Sequence, residues 1–102
     1  MSILNTVNKS PFERNALESC LKFANRGDPV LLFEDGVYAV LKGTSAEAQI
    51  KAALDTQSIY VLGPDLAGRG FSEDRLIEGV KVVDYAGFVD LAAENDKVQA
   101  WL

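Results

Sequence analysis

The chain has 102 residues, with ten Lys and Arg against fifteen Asp and Glu, one cysteine, no histidine and a formal net charge of -5. A lone cysteine excludes an intramolecular disulfide, a CxxC redox pair and zinc sites built on several thiolates; the missing histidine removes Ser-His-Asp and Cys-His nucleophile activation. An acidic chain also lacks the clustered Lys and Arg that neutralise phosphates, which argues against direct nucleic-acid binding.

Size scaling for such a chain leaves about 5,600 Å² exposed out of about 16,000 Å² when unfolded, enough burial for one core and a single domain over residues 1–102. Apolar residues make up 48% and the mean hydropathy is +0.04. That is rich for a small solitary protein and points to a buried subunit interface.

Ile3 to Val7 is β-branched at both ends and bounded by Asn8, Ser10 and Pro11, the pattern of a first strand. This start has no basic n-region and no small-residue cleavage site, so no signal peptide is expected. Ser10, Pro11 and Glu13 then read as a capping box opening a helix. Ala16, Leu17, Cys20, Leu21 and Ala24 form its apolar stripe, and Gly27-Asp28-Pro29 ends it.

Val30 to Phe33 is a continuous apolar run, as in a parallel strand covered on both faces. After a turn at Glu34-Asp35-Gly36, Val37 to Leu41 predicts a short helix, and a second helix covers about Ser45 to Leu54. Ser58 to Leu62 is the next strand, Asp65 to Gly70 a short helical turn, and Lys81 to Val83 a fourth strand. Asp84 caps a last helix with Tyr85, Phe88, Val89 and Ala92 on one face. Glu94, Asp96 and their neighbours read as a solvated tail, from which Trp101 stands apart as an aromatic that must pack on something. The longest apolar runs are far too short to span a membrane. The βαβ rhythm predicts an α/β fold, a small three-layer α/β/α sandwich with a mostly parallel sheet.

Cys20 is the only soft nucleophile. Its place on the apolar stripe, deep in its helix and away from the N-terminal dipole, favours a packing role. Asp35-Gly36 follows a central strand, where α/β sheets gather ligands, and Gly68-Arg69-Gly70 could hold an anion. Ordinary turn chemistry explains both. Asp84 and Gly87-Phe88 are explained by capping and an apolar face.

In order along the chain, Ser10-Pro11-Phe12, Gly27-Asp28, Leu31-Leu32, Asp35-Gly36-Val37, Lys42-Gly43, Tyr60-Val61-Leu62, Asp65-Leu66-Ala67, Arg69-Gly70, Val83-Asp84-Tyr85, Gly87-Phe88-Val89 and Trp101 resemble the TusB/DsrH family of sulfur-relay subunits. The resemblance implies a DsrE-like fold and a cytoplasmic heterohexamer with DsrE/TusD-like and DsrF/TusC-like subunits. It further implies exchange of persulfide sulfur with a DsrC/TusE-like carrier, without cofactor or metal. A cysteine in the first helix resembles the DsrH branch, which serves sulfur oxidation. On that branch Cys20 becomes a candidate accessory persulfide carrier, with the principal cysteine on the DsrE/TusD-type subunit. The alternative is a TusB-type interaction subunit of the relay to tRNA 2-thiouridine, with no chemistry of its own. A stand-alone ligand-binding domain using the loops at Asp35 and Arg69 is the third reading.

Overall fold

The computed structural model describes residues 2–102. Five strands form one all-parallel sheet in the order β4-β3-β2-β1-β5: β1 (Ile3–Val7), β2 (Pro29–Leu32), β3 (Ser58–Leu62), β4 (Lys81–Val83) and β5 (Lys97–Trp101). The helices are α1 (Ala16–Phe23), α2 (Glu47–Ala53), α3 (Gly63–Gly68) and α4 (Tyr85–Glu94). Short 3-10 turns cover Glu34–Val40 and Glu73–Arg75.

Strand alternation splits the core between the two faces of the sheet. Val7, Val30, Leu32, Ile59 and Val61 pack under Leu17, Cys20, Val37, Ile50 and Leu66, a large cluster beneath α1, α2 and α3. Leu4 and Leu31 point the other way, against Leu91, Phe88 and Ala92 of α4. A large core on one side and one helix on the other make a three-layer sandwich, as the βαβ rhythm predicts. The exposed surface, 5557 Å², is that of an ordinary chain of this length. Even so, several large apolar side chains stand in solvent, among them Phe23, Tyr85, Val89 and Val98.

Two expectations are corrected. The first helix begins at Ala16, five residues beyond Pro11. Ser10 instead closes a self-contained turn: its hydroxyl accepts from Phe12 N at 3.2 Å and its carbonyl from Glu13 N and Arg14 N at 3.2 and 3.1 Å. With these groups satisfied locally, helix forms only where Ala16 and Leu17 reach the core.

The second correction concerns the segment after Glu94, which is not a solvated tail. Asp96 accepts from Ser2 N at 3.0 Å and donates its own N–H to Ser2 O at 3.0 Å, which lays Lys97–Trp101 beside β1 as a fifth strand. The connection through α4 brings the chain back across the sheet, from β4 at one edge to that position at the other. β1, β3, β4 and the Asp84 cap, whose Oδ1 accepts from Gly87 N at 2.8 Å, form where expected. β2 runs one residue earlier than the Val30–Phe33 run, because Phe33 already leads into the 3-10 turn.

Candidate functional site

Cys20 sits on the inner face of α1 with no exposed surface, between Leu17 and the strands of the larger core. Burial pushes its thiol up to about 12. Among the described residues no cation offsets that cost; Lys22, two positions along the helix, points outward, where its Nζ lies 5.6 Å from the Phe23 ring centroid. At neutral pH the thiolate is a population on the order of one in 10⁵, and the thiolate is the form that attacks sulfur. In this chain by itself, no approaching sulfur atom reaches Cys20.

The loops at Asp35 and Arg69 are brought together at the carboxyl ends of β2 and β3. Arg69 donates from Nη2 and Nε to Asp35 Oδ1 at 2.9 and 3.1 Å, and from Nη1 to the Asp65 carbonyl at 3.4 Å. The hydrogen bond to Asp35 raises the guanidinium pKa further above its ordinary value. Asp65 in turn accepts from Glu34 N at 2.6 Å, and Glu34 adopts a left-handed backbone with φ of 48°. The next turn is fixed by Gly36, whose missing side chain lets the 3-10 segment press on β1: a Cβ there would lie 2.3 Å from the Val7 carbonyl oxygen.

This arrangement ties loops together. Arg69 spends its donors on Asp35 and Asp65, and Glu34, Asp35 and Asp65 outnumber it, so an anion finds little free positive charge. Among the described residues no group of His, Cys, Asp or Glu is placed to hold a metal ion. A shallow cavity of about 280 Å³ lies elsewhere, between the Pro11–Asn15 turn, Leu17 and Gln49. It contains neither Cys20 nor the Asp35–Arg69 pair.

Tyr85 is exposed on α4, and Asp84 serves as the cap of that helix. The sequence reading missed the surroundings of Trp101. Its Nε1 donates to Asn5 Oδ1 at 3.1 Å, and its ring stacks on Phe23 with centroids 6.4 Å apart. The signal was the alternation Lys97-Val98-Gln99-Ala100-Trp101, which has the two-residue period of a strand. No helix among the described residues is long and apolar enough to cross a membrane.

Residues 9–98 match the family described as DsrH like protein. The chain is 39% identical to Protein TusB of Erwinia tasmaniensis over 100 residues, covering 97% of this chain and all of that one. It is 33% identical to Protein TusB of Pectobacterium parmentieri with the same coverage of both chains. Among solved structures, the ychN protein from E. coli superposes with a TM-score of 0.83 at 20% identity, over 99% of both chains. A protein of unknown function from Methanobacterium thermoautotrophicum gives a TM-score of 0.73 at 14% identity, over 96% of this chain and 97% of that one. These structural likenesses concern the fold.

Proposed function

The chain belongs to the DsrH-like family, and from that premise we propose that it is a TusB-type subunit of a cytoplasmic sulfur relay, acting by interaction rather than by chemistry of its own. The observation that carries this reading is full-length similarity to proteins named TusB, two of them at 39% and 33% identity. The buried Cys20 supports it from a second direction. In a relay step an acceptor thiolate attacks the outer sulfur of a persulfide, the S–S bond breaks and the donor leaves as a thiolate. A thiol held at about 12 and sealed from solvent is poorly suited to either part. On this reading the sulfur travels on the principal cysteine of a TusD-like partner and on a TusE-like carrier, while this chain completes a heterohexamer with TusD-like and TusC-like subunits that feeds tRNA 2-thiouridine synthesis.

Cys20 is also what favours the second reading, a DsrH-type subunit in sulfur oxidation with Cys20 as accessory persulfide carrier. One experiment separates the two. The gene is deleted in its host, restored as wild type, Cys20→Ser or Cys20→Ala, and 2-thiouridine nucleosides are measured by mass spectrometry. The proposal expects thiolation to vanish on deletion and to return with all three chains. Thiolation that survives deletion refutes it, and failure of both folded Cys20 variants assigns the thiol to the relay.

A further inference from the structure

The two edges of the sheet are built differently. β4 is a three-residue edge, and its shortness leaves little for another strand to pair with. β5 is five residues long and pairs only with β1 among the described residues, so its outer row of backbone N–H and C=O groups faces solvent. Proteins usually blunt such an edge with proline, a bulge, several charges or a covering element. Lys97–Trp101 contains no proline and a single charge.

The surroundings of β5 are apolar. Val98 is 52% exposed on the face that carries α4, and Leu102, just past the strand, is 79% exposed. On the opposite face Phe23 is 66% exposed and stacks on Trp101. An open edge flanked by apolar side chains on both faces is a surface made for a strand partner.

We propose that this partner is a second copy of the chain, with β5 pairing antiparallel to its counterpart about a two-fold axis through Gln99. The strand is self-complementary in that register. Lys97 falls opposite Trp101 of the other copy, a cation over an indole, and Val98 falls opposite Ala100. A register centred on Val98 sets Asp96 against Ala100 and leaves Trp101 without its lysine. One centred on Ala100 leaves Lys97 beyond the pairing. Only the Gln99 register uses all five residues, and it joins the two five-stranded sheets into one. Isologous pairing of this kind closes after two copies. The inference rests on β5 alone and stands apart from the relay reading.

Cross-linking of the full chain tests it. Gln99→Cys places two thiols across the axis with Cα atoms about 5 Å apart, within disulfide range. Lys97→Cys places them about 14 Å apart, out of range. Native Cys20 is sealed in the core and stays silent. We expect a mass by light scattering of twice 11.1 kDa. Mild oxidation should cross-link Gln99→Cys at least tenfold more than Lys97→Cys. Val98→Lys should restore the monomer with its circular dichroism unchanged, and Ala100→Lys should do the same. A monomeric mass at high concentration overturns the proposal. So does equal cross-linking from both positions, or a cross-link from Gln99→Cys that forms only to a different co-expressed protein.

Discussion

Asn5 and Trp101, 96 positions apart, are joined by a hydrogen bond from the indole Nε1 to Oδ1 at 3.1 Å. Asn5 is almost fully buried, and its amide nitrogen donates to the carbonyls of Ile3 at 3.3 Å and Pro29 at 3.4 Å. One side chain thus links β1 to the start of β2 and to β5, while Phe23 closes over the indole from α1. The seam fixes β5 in the sheet, and through it the edge proposed for self-pairing.

Replacing Trp101 by phenylalanine keeps a ring against Phe23 but leaves the buried Asn5 oxygen without a donor. Such an orphan costs about 1–3 kcal/mol. Asn5→Ala is costly for its own reasons, because it also removes the bonds to Ile3 and Pro29. The double variant should lose less than the sum of the singles, with a coupling of about 1 kcal/mol measurable by urea denaturation. Strict additivity would mean that the indole hydrogen bond contributes nothing.

Gly36→Ala is expected to be among the most damaging small changes in the chain. Its Cβ would meet the Val7 carbonyl oxygen at 2.3 Å, and a backbone atom of β1, paired with strands on both sides, cannot step aside. A cost of about 3 kcal/mol or more follows from the strain. Gly68→Ala is the control, since nothing lies within 4 Å of its Cβ position, and it should stay within about 0.5 kcal/mol of wild type. Paired thermal melts read the contrast directly.

What was legible in the sequence followed physical period. β1, β3 and β4 were bounded correctly because apolar runs ended at turn residues, and the stripe through Leu17 and Cys20 pointed inward, where both residues lie. β5 was hidden because its alternation is half polar and directly follows Glu94 and Asp96, so charge masked a period of two. The Ser10 motif misled because a capping box and a closed serine turn share the same residues; only the distance to the first core contact separates them. The Asp35–Arg69 pairing spans 34 positions, and linear spacing carries no trace of it. The lean towards sulfur oxidation hung on one residue, Cys20, whereas similarity to the proteins named TusB runs through the whole chain.

Arg69→Ala should cost less than about 1 kcal/mol, because the side chains of the ion pair are 27% and 51% exposed and water screens them. The cost should shrink further in 1 M salt, where the Debye length is about 3 Å. If urea denaturation shows a loss above about 3 kcal/mol that persists in salt, the loop junction is a buried structural tie rather than a surface pair.

Cys20 makes the sharpest solution prediction. Its folded thiol sits near 12 against 9.0 in the absence of burial, so the folded chain holds its proton where the unfolded chain has lost it. Stability from this group is therefore fully present below pH 9 and declines above it, by about 1.4 kcal/mol per pH unit until the folded thiol itself ionises. Cys20→Ala should abolish that slope after correction for other groups, while costing a modest, pH-independent amount below pH 9. In the native chain the thiol should resist an aromatic disulfide reagent at pH 8 and react at once in denaturant. Rapid reaction in the folded isolated chain would show that α1 opens to admit sulfur chemistry, which would revive Cys20 as a carrier. Protection that disappears only when partner subunits are added would place that opening in the assembled complex.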